Sequence, residues 1–183
     1  MGKALFARNL EDFDKLPDII KDMHDVENPV VAVGLSKITR GKGVISNFAA
    51  WCFSFPKAGE ELPIRVVFKR HGDEETLLRD YGSSKFETTF KDHPEPGYMY
   101  EIFGSLWFDV ECHCSQQGID MYIRKCRLWN FIPLPLLLLP HTDATERVVD
   151  GKYQFDVDIS LPLIGRVIWY KGSLTKITSN QEA

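Results

Sequence analysis

What this sequence lacks narrows it first. No apolar stretch is long enough to cross a bilayer. The longest, Phe131 to Leu139, is broken by Pro133 and Pro135 and falls well short of the roughly 20 residues a membrane helix needs. Charge of either sign is unblocked: 22 basic and 26 acidic residues are scattered along the chain, for a net of −4. No basic stripe marks a nucleic-acid partner, and no broad basic surface marks one for anionic lipid. The first residues run straight into a mixed polar and apolar segment, without the unbroken apolar core of a secretory signal. Phe6 stands where the myristoylation pattern needs Ser or Thr. The expectation is a cytoplasmic protein.

The familiar chemical motifs are missing too. The four cysteines, at 52, 112, 114 and 126, form no Cys-x-x-Cys. Cys112 and Cys114 flank His113, but in a strand the two thiols project together and the imidazole projects away. Their face also carries Leu106, Phe108 and Val110, the company of buried reduced thiols rather than of a metal site. Arg40-Gly41-Lys42-Gly43 precedes a helical pattern and offers backbone amides to an anion. It lacks the Lys-Ser/Thr of a phosphate loop and the glycine spacing of a dinucleotide fingerprint. Gly-x-Ser-x-Gly and His-Glu-x-x-His are also absent. No metal and no cofactor is expected.

What is present is a core. With 183 residues, 44% of them hydrophobic and 12% aromatic, the chain suits one domain, 1–183, with a polar tail at 178–183 expected to be disordered. Phe13, Leu16, Ile19, Ile20 and Met23 fall at helical spacing, with Pro17 beginning a turn rather than breaking one. An extended segment, 30–39, follows Asn28-Pro29. Val44, Ile45, Phe48, Ala49 and Cys52 then give a second short helix, and a polar turn is expected at 57–61.

From Pro63 the period changes to two. Strands are expected at 64–69, 76–81, 85–90, 98–103, 106–114, 119–129, 143–149, 153–161 and 166–177, separated by Gly-, Asp- and Pro-bearing turns. Phe155, Val157, Ile159 and Leu161 alternate with Gln154, Asp156, Asp158 and Ser160, one dry face and one wet. The fold class is therefore α+β and mainly β: a curved antiparallel sheet of about ten strands, half-barrel or barrel-like, with two N-terminal helical segments packed on it. Periodicity does not decide whether the sheet closes.

The run Phe155-Asp156-Val157-Asp158-Ile159-Ser160-Leu161-Pro162-Leu163-Ile164-Gly165, continuing to Tyr170-Lys171-Gly172, resembles the C-terminal signature of a bacterial domain family of unknown function. Also similar are His24-Asp25-Val26, Arg40-Gly41-Lys42-Gly43, Phe55-Pro56-Lys57-Ala58-Gly59, Arg79-Asp80-Tyr81-Gly82 and Ile132-Pro133-Leu134-Pro135. That family occurs alone or fused behind saccharopine-dehydrogenase-like Rossmann proteins. The resemblance implies no activity and transfers no catalytic residue.

Three readings of function follow. The segment Trp129 to Pro140 is apolar, and its prolines forbid a continuous strand or helix. It either plugs an open end of the sheet or forms a lid over a lipophilic pocket. The leading reading is non-catalytic binding of a small hydrophobic or amphipathic ligand within the curved sheet, with Arg79, Tyr81, Trp129, Phe131, Leu134 and Leu137 in contact with it. The second is an enzyme acting on a small carboxylate-bearing metabolite. There the planar fork of Arg79 would orient the acid, and one of Asp109, Glu111 or Asp156 would act as base. Arg79 also has a plain alternative, an ion pair with Glu101 or Asp109. Asp109, Glu111, His113, Asp156 and Asp158 share a wet face that reads most simply as the outside of the sheet. The third reading is an interaction domain regulating a Rossmann-type dehydrogenase, suggested by the fusions in the resembled family.

Overall fold

The computed structural model describes residues 3–177. The expected tail at 178–183 lies outside them. Strands β1 (Val30–Arg40), β2 (Gly59–His71), β3 (Glu74–Asp80), β4 (Lys85–Asp92), β5 (Tyr98–Phe103), β6 (Leu106–Ser115) and β7 (Gly118–Leu128) are followed by the two-residue β8 (Ile132–Pro133). Then come β9 (His141–Val149), β10 (Lys152–Leu161) and β11 (Gly165–Ile177). The order β6-β5-β4-β3-β2-β1-β11-β10-β9-β7 returns on itself through a β6–β7 pairing, so ten antiparallel strands close a barrel. Closure removes both free edges and answers what periodicity left open.

Side chains alternate in and out as the pleat requires. Phe108, Val110 and Cys112 point inward from β6 and are buried, while His113 is exposed. Two glycines let β1 and β11 approach closely at the seam where chain start meets chain end. A Cβ on Gly34 would lie 1.8 Å from the Ser173 carbonyl oxygen, and one on Gly172 would lie 2.3 Å from that of Leu35.

The first segment is helical but broken: α1 (Leu5–Asn9), one 3-10 turn (Phe13–Lys15) and α2 (Asp18–His24), with Pro17 just ahead of α2. The expected single stripe is divided because Pro17 donates no amide hydrogen bond to the turn before it. Leu5, Phe6, Leu16, Ile20 and Met23 are buried and fill the end of the barrel where β1 begins. The helices therefore plug one end instead of covering a concave face. The Leu5 amide donates to the Glu75 carboxylate on β3 at 2.5 Å, tying plug to wall.

The second helix, α3 (Val44–Cys52), lies at the opposite end, the mouth. Its buried residues are Ser46 and Ala50, and its apolar stripe faces outward. Ser46 donates to the Arg166 carbonyl at 3.1 Å, and the Gly41 amide to that of Val167 at 3.1 Å. Small and polar residues thus dock the helix on β11. The expected turn at 57–61 is shorter than its polar residues suggest, because β2 starts at Gly59 and pairs with Ile38 beyond a bulge.

Candidate functional site

A cavity of about 310 Å³ runs along the barrel axis from His24 at the plugged end to Phe53, Phe55, Leu134 and Leu138 at the mouth. Its wall is predominantly apolar, as in sites that hold small molecules. Three strands contribute a polar cluster from inward positions. Arg79 on β3 donates from Nη1 to Thr88 Oγ1 on β4 at 3.2 Å, and the Thr88 hydroxyl is hydrogen-bonded to the Glu101 carboxylate on β5. Arg79 also lies over the Phe86 ring, 5.2 Å from its centroid.

Arg79 and Glu101 interact across the cluster through Thr88 and form no ion pair within 4.0 Å of one another. The Arg79 Nη1 hydrogens serve Thr88 and the Leu77 carbonyl, which leaves the other face of the guanidinium toward the cavity it lines. Burial pushes the Glu101 carboxyl up, and the Arg79 charge and the Thr88 hydrogen bond only partly offset that.

A second polar group sits lower, beside the plug. His24 Nε2 lies 2.6 Å from Glu146 Oε2 of β9, and the Tyr153 hydroxyl also bonds to this carboxylate. Burial alone would raise Glu146. The His24 charge and the hydrogen bonds from His24 and Tyr153 outweigh it and hold the group below its ordinary value. The Tyr153 hydroxyl is pushed far up, by burial first and then by the adjacent carboxylate. The His24 ring stacks on Phe6 with centroids 3.9 Å apart. Two buried polar atoms of cavity-lining residues, His24 Nδ1 at the plugged end and Thr142 Oγ1 toward the mouth, have no protein hydrogen-bond partner.

The sequence-expected residues separate into two groups. Arg79 and Leu134 line the cavity, while Tyr81 packs beside it, 6.3 Å from Phe86 and parallel to that ring. Trp129, Phe131 and Leu137 are exposed on the rim. The segment they belong to is part plug and part rim, and it is more ordered than its prolines suggest. It contains β8 and one 3-10 turn, Leu136–Leu138, and the Leu134 amide donates to the Cys126 carbonyl at 2.9 Å.

The three candidate bases do not converge on Arg79. Asp109 pairs with Arg127 at 2.5 Å, Glu111 with Arg124 at 2.5 Å, and Asp156 accepts from Trp169 Nε1 at 2.7 Å. All lie on the outer face, where the pleat must put them if Phe108, Val110, Phe155 and Val157 face inward. The expected Arg79–Asp109 pairing is excluded for the same reason, and Glu101 is the acid that Arg79 meets.

Glu101, Glu146, Thr88, Tyr153 and His24 were missed as a set. The signal was polar residues standing in the apolar phase of a strand: Glu101 between Met99 and Phe103, Thr88 between Phe86 and Phe90, Glu146 two residues from Ala144 and Val148.

Compared with known families, residues 16–174 match the model described as Domain of unknown function (DUF4166). No curated protein and no solved structure matches the chain.

Proposed function

The chain belongs to this family of unknown function, and we propose that it binds a small amphipathic ligand inside its barrel without transforming it. The observation that carries this reading is the cavity itself, about 310 Å³ of largely apolar space with one partly unengaged guanidinium in its wall. An apolar moiety fills the barrel, and an acceptor group such as a carboxylate takes the open face of Arg79 through charge-assisted hydrogen bonds. Glu101 balances Arg79 when the cavity is unliganded and accepts from a donor on the same ligand. Residues 129–140 form the gate. Leu134 and Leu138 border the cavity, and β9 pairs with β7 only over Gly118–Met121. Above that point the two strands diverge, and the segment fills the gap between them.

The test is a fluorescence titration with 1-anilinonaphthalene-8-sulfonate, an aromatic acid, followed by displacement with straight-chain carboxylates of graded length. Saturable one-to-one binding that Arg79→Met weakens about tenfold or more is expected. Unsaturable binding indifferent to Arg79 would contradict the proposal. The enzyme reading with Asp109, Glu111 or Asp156 as base has no geometric support, since those groups are across the wall from Arg79. No feature of the structure favours a Rossmann-type dehydrogenase partner.

A further inference from the structure

We propose, building on the ligand reading, that the mouth of the barrel is a docking surface for an anionic membrane, from which the amphipathic ligand enters. The large exposed apolar side chains are concentrated at this end. Val44, Phe48 and Trp51 on α3, Phe131 and Leu136 in the gate, and Leu163 in the β10–β11 turn are exposed by 61% or more, with Trp51 at 74% and Leu163 at 92%. Three separate segments bring them there, all from strand ends that pairing places together: Arg40 opposite Ile168, Leu161 opposite Gly165, Ser160 opposite His141. Apolar surface gathered this way on one end of a protein marks an interaction site.

Charge chooses the occupant. The segments that build the mouth, residues 40–59, 127–142 and 161–168, contain Arg40, Lys42, Lys57, Arg127 and Arg166 and no Asp or Glu, within a chain of net charge −4. Of the acids at neighbouring strand ends, Asp80 is partnered by Lys85 at 2.7 Å, Asp158 by Arg166 at 2.5 Å and Glu60 by Lys37 at 2.6 Å, while Glu61 and Asp143 are exposed further down the wall. Lys42 and Lys57 are exposed beside the apolar residues. Arg127 and Arg166 are engaged by Asp109 and Asp158, so the exposed cations left to meet lipid are Lys42 and Lys57. Aromatic and aliphatic side chains flanked by two lysines suit the headgroup layer of an anionic bilayer, where apolar insertion and electrostatic attraction add. The outer wall carries Arg–Asp and Arg–Glu pairs along its strands, so the barrel rests on the surface by its mouth and does not sink into it. The cavity is lined at this end by Ala49, Phe53, Leu134, Leu138 and Leu161, which belong to or adjoin the same segments, so a docked mouth faces the lipid directly.

The test uses the full chain in co-sedimentation with vesicles of phosphatidylcholine plus phosphatidylglycerol, against phosphatidylcholine alone. The doubly substituted chains Phe48→Ser with Trp51→Ser and Lys42→Glu with Lys57→Glu are run alongside, with Leu163→Ser as a change remote from α3. Wild type is expected to partition onto the anionic vesicles and to be released by salt. The apolar substitutions should weaken partitioning about tenfold or more, and the charge reversals should abolish the preference for phosphatidylglycerol. Failure of wild type to partition would overturn the proposal. So would unchanged partitioning of the apolar variants, or light scattering that shows a stable dimer dispersed by Phe48→Ser with Trp51→Ser. Native mass spectrometry of the same preparations separates the two claims. A retained ligand without vesicle binding refutes docking alone, and vesicle binding by a protein that takes up no ligand refutes the ligand reading alone.

Discussion

At the scale of single residues, the interior of the barrel is a set of polar side chains placed where apolar ones would pack. Glu146 is a buried carboxylate and Glu101 a half-buried one, and their surroundings act on them in opposite directions. Glu101 is pushed up, chiefly by burial. A carboxyl with a raised folded-state pKa binds more protons folded than unfolded, so stability falls as pH rises from the ordinary carboxylate range through the folded pKa. Glu101→Gln is therefore expected to raise the melting temperature at neutral pH, a gain that disappears below the ordinary carboxylate range. Glu146 is held low by His24 and Tyr153 against its burial. Its stabilisation is present above the unfolded pKa and is lost as pH falls through the folded one. Glu146→Gln should cost about 1–3 kcal/mol at neutral pH, because it replaces the carboxylate that accepts from His24 and Tyr153, and little in acid. Thermal melts of the two variants across this range decide the matter, since shifts of the same sign at neutral pH would contradict the assignment.

The thiols give a second residue-scale prediction. Burial raises Cys112 far up, Cys114 to about 12 and Cys126 to about 11. A thiol that stays protonated is a poor nucleophile. Cys52 is exposed on α3. One cysteine should react promptly with a thiol reagent at neutral pH and the remainder only after denaturation, with Cys52→Ser abolishing the prompt phase.

At the scale of elements, the gate and the seam should differ in stability from the rest of the wall. β6 pairs with β7 along its length and with β5 over Leu106–Glu111, whereas 129–140 holds to β7 through two paired residues and a few turn hydrogen bonds. Hydrogen exchange is expected to be fast in 129–140 and slow in Leu106–Ser115. Equal protection would mean a fixed plug and no gate. At the β1–β11 seam, Gly172→Val would force a side chain against the Leu35 carbonyl and should destabilise the barrel by about 1–3 kcal/mol, read as a fall in the urea midpoint.

Elements are also where the sequence was most and least legible. Period-two alternation placed the nine barrel strands after Pro63 and the inward face of β6, because one dry face and one wet face is a direct consequence of the pleat, and Asn28-Pro29 marked the start of the tenth. Helical spacing located α3, but the apolar stripe that defined the helix faces outward, while Ser46 and Ala50 make the packing contact. Helical spacing reports that an amphipathic face exists and is silent on what covers it. Closure of the barrel was not readable either, since it depends on pairing between β6 and β7 and between β1 and β11, contacts set by the whole sheet. Arg79 was legible as a binding candidate from its chemistry. Its partners Thr88 and Glu101 were not, because only the register of β3, β4 and β5 brings the three together.

At the scale of the whole molecule, the barrel is asymmetric from end to end. One end is sealed by α1, α2 and the Leu5–Glu75 bond, with His24 and Glu146 beneath the plug. The other is open, apolar and free of acids in the segments that build it. Among the described residues no helix is long and apolar enough to cross a membrane. A vessel closed at the base and open at a greasy rim is suited to taking up an amphiphile and shielding it from water. The most direct measurement is native mass spectrometry of freshly purified protein, before and after incubation with a mixture of straight-chain carboxylates. A discrete adduct that survives gentle desolvation, vanishes on denaturation and is depleted in Arg79→Met is the predicted result. A bare polypeptide mass in every sample, including those incubated with the mixture, would contradict ligand binding in the barrel.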